Sequence, residues 1–204
     1  MSDSLVHLTK VDWHKWNASV PSGKCDMENE AFFTLLKILK EKKLRSHDGM
    51  IKGRYKCVCF SETPIMTLQQ LFDNNHDNFR YRPFGIIFKK KYIFDKGGRP
   101  VIYQPADDFE KLHEDHQHLH VTYDLKNSPS IDFTWEREWR FRSDTGIELT
   151  KECAEILVPN NGIRKLIGRY LRESTKAADD PWNYVVLDQY GVKVSVPNLS
   201  IPET

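Results

Sequence analysis

The reading of this chain turns on Phe133-Thr134-Trp135-Glu136-Arg137-Glu138-Trp139-Arg140-Phe141-Arg142. At the two-residue period of a β-strand, Phe133, Trp135, Arg137, Trp139 and Phe141 point to one face, and Thr134, Glu136, Glu138, Arg140 and Arg142 to the other. The first row predicts a mostly aromatic wall set into a core. The second predicts a ladder of alternating charge, and charges this close to aromatic packing are seldom left unpaired. Glu138 beside Arg140 is therefore either a structural ion pair or a carboxylate held rigid for chemistry.

Outward from that stretch, the chain reads as many short strands with a few helices. Leu5 to Thr9 predicts an opening strand, residues 17–27 a loop, and Phe32, Leu35, Leu36 and Leu39 a helix from Glu28 to Lys43. Cys57 to Ser61 predicts a buried strand. Pro64 suits the first turn of a helix from Ile65 to Phe72. Strands are expected at Phe84 to Phe88, at Pro100 to Tyr103 after the Gly97-Gly98 turn, and at Ala154 to Val158, Tyr184 to Leu187 and Val192 to Val196. A last helix is expected from Gly162 to Arg172. This order predicts an α+β fold in a single domain, 1–204, rather than a doubly wound parallel sheet.

The 204 residues carry a net charge of +1 with 39% hydrophobic and 29% charged residues, the profile of a soluble globular chain. That charge excludes a strong sequence-blind pull toward nucleic acid. Lys40, Lys42, Lys43, Arg45, Lys52, Arg54 and Lys56 still form a local basic stretch, either a solvated helix end or a contact surface for nucleic acid or nucleotide phosphate. No apolar run approaches the ~20 residues of a membrane span, and the first residues lack the pattern of a signal peptide. A cytoplasmic location without membrane contact is expected. Cys25, Cys57, Cys59 and Cys153 are too scattered for a disulfide framework, and read as small buried residues in a reducing compartment. His113, His116, His118 and His120 lie among acids in a polar segment, which is expected to be a solvated loop rather than a metal site.

Three segments together resemble the AbiGi-type abortive phage-resistance proteins: Val58-Cys59-Phe60-Ser61-Glu62-Thr63-Pro64, Phe84 to Lys90 followed by Gly98 to Tyr103, and Glu136-Arg137-Glu138-Trp139-Arg140. The resemblance covers roughly residues 30 to 160. A second likeness is to DarT-type enzymes, which ADP-ribosylate DNA. It is carried by His7-Leu8-Thr9, by Phe60 to Met66, and by Ala154-Glu155-Ile156-Leu157-Val158-Pro159. The chain departs from that pattern in the second segment. Glu62 and Thr63 stand where the DarT type has an active-site Arg.

These resemblances imply an ADP-ribosyltransferase-like split mixed or antiparallel sheet with flanking helices, NAD as substrate, and a role in phage defence as toxin or effector. The expected cleft holds His7 and Thr9 at the nicotinamide ribose, Tyr103 stacked on nicotinamide, Glu62 at the mouth and Arg140 at a phosphate. NAD cleavage passes through an oxocarbenium-like state, which a fixed carboxylate stabilises as nicotinamide leaves. Glu138 is preferred for that role because its matching segment is the longer. Glu155 is the rival, because its neighbourhood follows the DarT pattern. Two other readings stand beside this one: a non-catalytic immunity or antitoxin module that binds a toxic partner protein, and a metal-dependent nuclease using Glu62, Glu136 and Glu138.

Overall fold

The computed structural model describes residues 3–10, 24–68, 72, 81–126, 128–176, 179–194, 196 and 199. The fold is mixed α+β, with a mostly antiparallel multi-strand sheet and few helices. The strands are β1 (Ser4–Lys10), β2 (Lys43–Leu44), β3 (Cys57–Ser61), β4 (Tyr81–Lys89), β5 (Arg99–Pro100) and β6 (Ile102–Gln104). They are followed by β7 (His120–Thr122), β8 (Glu138–Arg142), β9 (Ile147–Glu148), β10 (Ala154–Val158) and β11 (Asn183–Val186). Two compact units are present. One is drawn from the described residues of 1–7, 43–63 and 88–149, the other from those of 8–42, 64–87 and 150–204. Among the described residues, no helix is long and apolar enough to cross a membrane.

In the first unit the strand order is β1-β3-β8-β5. The β1/β3, β3/β8 and β5/β8 pairs are antiparallel. Pro100 sits on the terminal strand of this run, where a residue without an N–H breaks no ladder. The chain then changes partner at Val101. Its N–H donates to the Glu138 carbonyl at 3.0 Å, and the next N–H, of Ile102, donates to the Leu119 carbonyl at 2.8 Å. What the sequence presents as one strand, Pro100 to Tyr103, is thus two short ones. β5 lies on β8, and β6 runs parallel to β7.

The decisive stretch is a strand only in its second half. Thr134–Glu136 forms a 3-10 turn, and Arg137 adopts the left-handed conformation at φ 45° and ψ 51°. The cause is local. The Asp132 carboxylate accepts from the Thr134 N–H at 2.9 Å and from the Thr134 hydroxyl at 2.7 Å, offering this backbone an alternative to a ladder. Phe133 and Trp135 leave the predicted wall and are 41% and 42% exposed, whereas Trp139 is 8% exposed. Glu136 likewise leaves the charged row, which continues only through Glu138, Arg140 and Arg142.

In the second unit the order is β11-β10-β4-β1, and β10 and β11 are parallel. Parallel neighbours need a crossover, and the helix Asn161–Thr175 supplies it. Asn160 caps this helix by accepting from the Ile163 N–H at 3.0 Å, and Ile163, Ile167 and Leu171 recur at helical spacing on its buried side. The long helix Lys24–Glu41 buries Phe32, Leu35, Leu36 and Leu39, with the Phe32 ring 5.7 Å from that of Phe84 on β4.

That helix begins at Lys24, earlier than the periodicity indicated. The rest of the expected loop, residues 17–23, lies outside the described residues. The helix expected from Ile65 is a 3-10 turn at Ile65–Thr67, and residues 69–71 lie outside the described set. The strand expected from Val192 does not form at residues 192–194. Gly191, at φ 75°, caps the preceding 3-10 turn Leu187–Tyr190 and turns the chain away.

Candidate functional site

The register of the first unit sorts the proposed residues into two faces. Val6 pairs with Ser61, and Ser61 pairs with Glu138, so these three form one cross-strand row. Cys59 pairs with Arg140 and Phe60 with Trp139. Side chains alternate along each strand, so Glu138, Arg140, Ser61 and Cys59 share one face while Phe60 and Trp139 share the other. His7 follows Val6 and belongs with Phe60, whose ring it meets edge-on at 6.4 Å. The structure therefore does not bring His7 and Glu138 to one face.

Glu138 and Arg140 make a two-point ion pair, Nε to Oε1 at 2.9 Å and a terminal nitrogen to Oε2 at 3.2 Å. The other terminal nitrogen of Arg140 donates to the carbonyls of His118 at 2.8 Å and His120 at 3.0 Å. Arg140 is 5% exposed. Burial by itself opposes its charge, but the Glu138 carboxylate prevails and holds the guanidinium above its ordinary pKa. A guanidinium so buried and so bonded ties the segment before β7 to β8; it is not placed to receive a phosphate.

Tyr103 belongs to the same tie. Its hydroxyl accepts from the Glu138 N–H at 3.1 Å and donates to the Phe133 carbonyl at 3.2 Å. Burial pushes its pKa up, and the Glu138 and Glu136 charges act in the same direction.

On the opposite face Glu62 is the centre of a second cluster. One carboxylate oxygen accepts from Lys90 Nζ at 2.8 Å and lies 3.4 Å from an Arg137 nitrogen, and the other accepts from the Trp139 indole N–H at 3.0 Å. Burial works against the carboxylate charge, yet the bonds from Lys90 and Trp139 and the nearby cations outweigh it, and the pKa is lowered. Glu62, expected at a pocket mouth, is the half-buried hub of this cluster, and it is on the face away from Glu138. Nothing in the sequence announces Lys90 as its partner, since 28 positions separate them.

The DarT-like segments fall as follows. The His7 Nδ1 lies 2.8 Å from the Cys59 carbonyl. A carbonyl only accepts, so Nδ1 carries a proton. Thr9 is 1% exposed, and its hydroxyl donates to the Phe84 carbonyl at 3.1 Å. Glu155, on β10, is the one exposed residue of a strand whose other members are buried. It pairs in register with Asn183 of β11, also exposed.

The histidine-rich segment is not a solvated loop throughout. His113 caps the short helix Glu114–Gln117, accepting from the Asp115 N–H at 3.3 Å. His118 and His120 are 8% and 2% exposed, and pairing of β7 with β6 carries His120 inward despite its polarity. Nδ1 of His120 is buried without a protein hydrogen-bond partner, as is Oε1 of Gln104. Burial, joined by the Arg142 and Arg140 charges, lowers the His118 pKa. Among the described residues, no group of three or more His, Cys, Asp and Glu is placed to hold a metal ion. Cys57 and Cys153 are buried and Cys59 half-buried, with the Cys57 thiol pushed up to about 11 by burial. Comparison with protein-family models, with curated proteins and with solved structures gives no match.

Proposed function

We propose that the chain is an ADP-ribosyltransferase-like protein of phage-defence or toxin type that uses NAD as substrate, with Glu155 as its working carboxylate. The observation that carries this reading is the exposure of Glu155. β10 is hydrogen-bonded to β11 on one edge and β4 on the other, and only this residue of the strand reaches solvent. A carboxylate held rigidly by an interior strand yet open to solvent has the fixed position and the access that oxocarbenium stabilisation needs. Glu138, saturated by Arg140, has the first without the second. β4 alone separates the strand of Glu155 from the Leu8–Lys10 part of β1, in keeping with the split sheet that the DarT likeness implies.

In the reaction the C1′–N bond of NAD breaks and nicotinamide leaves with the bonding pair. Water or an acceptor nucleophile then captures C1′ and loses its proton to solvent. Glu155 stabilises the ribose as positive charge develops. The test is nicotinamide release and calorimetric NAD binding with the wild type, Glu155→Gln and Glu138→Gln. Glu155→Gln should lose a hundredfold or more in rate, on the order of an electrostatic transition-state contact, while retaining NAD affinity. Glu138→Gln should keep its rate per folded molecule.

A second reading is a non-catalytic immunity or antitoxin module. It is favoured by Phe133 and Trp135, large aromatics that stand 41% and 42% exposed. Phe133 precedes and Trp135 lies within a turn whose carbonyls are anchored by Ser61 and Thr63. Rigid exposed aromatics of this kind are common anchors for a protein partner. No NAD binding at millimolar ligand would leave this reading in front.

A further inference from the structure

The parallel pair β6 and β7 buries two polar atoms that meet no protein partner, Gln104 Oε1 and His120 Nδ1. The register places them together. Ile102 pairs with His120 and Gln104 with Thr122, so the four side chains lie on one face of the pair, with Gln104 and His120 as diagonal neighbours. His120 is 2% exposed, and the edge of Phe109 closes against its ring at a centroid distance of 5.6 Å.

The hydrogen-bonding character of the imidazole follows from its other nitrogen. Nε2 lies 3.1 Å from the Pro105 carbonyl. A carbonyl supplies no proton, so Nε2 carries one, and in the single-proton form of the ring Nδ1 presents a lone pair. The carbonyl oxygen of the Gln104 side chain also only accepts. Two buried acceptors on one face ask for a small guest that donates two hydrogen bonds, and buried water is the common solution to that problem.

We propose that one water molecule is bound between β6 and the start of β7, donating one proton to His120 Nδ1 and the other to Gln104 Oε1. The site takes a neutral double donor rather than a cation, because its two atoms bring no anionic charge. Its occupant stiffens the segment whose His118 and His120 carbonyls hold Arg140.

A crystal structure of the wild-type chain at a resolution that shows ordered water tests this directly. The expected result is a density peak within about 2.7–3.2 Å of both atoms. Two results would overturn it: an empty space, or a Gln104 amide turned so that its nitrogen donates straight to His120 Nδ1. Thermal melts of Gln104→Met, His120→Phe and the double variant give a second readout. Either single change removes one of the two acceptors that hold the water, so the double variant should lower the melting temperature by less than the sum of the singles. Strictly additive losses would argue against a shared guest.

Discussion

Glu138 and Arg140, two positions apart on β8, hold each other through a two-point ion pair at 2.9 and 3.2 Å, on the face opposite the Trp139 ring. Arg140 spends its remaining contacts on the carbonyls of His118 and His120, so the pair is part of the frame. Breaking a buried pair strands the surviving charge and typically costs about 3–5 kcal/mol. Glu138→Leu and Arg140→Met should each destabilise on that scale in urea melts. The double variant should lose less than the sum, because no lone charge remains buried. Full additivity would mean that the two side chains act independently.

Glu155→Gln should leave urea stability within about 0.5 kcal/mol of wild type, since an exposed strand residue has little packing to lose. Paired with the loss of nicotinamide release expected of the same variant, this separates a chemical role from a structural one. A large drop in stability would remove Glu155 from the candidate role.

The two tryptophans of the decisive stretch should behave differently. Trp139 is buried and its indole N–H donates to Glu62, so Trp139→Ala should cost about 3–5 kcal/mol through lost burial and a cavity. Trp135 is 42% exposed, and Trp135→Ala should cost about 1 kcal/mol or less. Equal losses in chemical denaturation would restore the continuous strand.

Acid should reveal Glu62. Its folded pKa is depressed below the ordinary 4.5, so the unfolded chain takes up this proton first as the pH falls. The stability it contributes is complete above about 4.5 and is lost as the pH drops through the folded value. Glu62→Gln should lower stability at neutral pH and flatten the stability profile below about pH 4.5. An unchanged profile would show that the Lys90 and Trp139 contacts carry no net stabilisation.

His118 acts in a higher window. Burial depresses its pKa below the ordinary 6.5, so the unfolded chain binds this proton before the folded one does. Stability should therefore fall as the pH is lowered from about 6.5 toward the folded value, and His118→Gln should remove that slope. Melts across this range, with the exposed His113→Gln as control, provide the measurement.

Local pattern alone determined most of the elements. Alternation marked Leu5 to Thr9, short apolar runs marked Cys57 to Ser61 and Ala154 to Val158, and the 3.6-residue period marked the helix that buries Leu35, because each is a property of a single segment. The charge row of Glu138, Arg140 and Arg142 was legible for the same reason. Tertiary structure alone decided what those residues face. The strand begins only at Glu138 because Asp132 caps a turn and Ser61 and Thr63 bind the turn's carbonyls, a competition that alternation cannot register. His120 went inward because Ile102 pairs with it, and Glu62 found Lys90 across 28 positions. His7 and Glu138 parted because Val6, not His7, falls in register with Ser61. Periodicity states which residues of a strand share a side; only pairing states which side of the neighbouring strand they join, and a one-residue change in register reverses the answer.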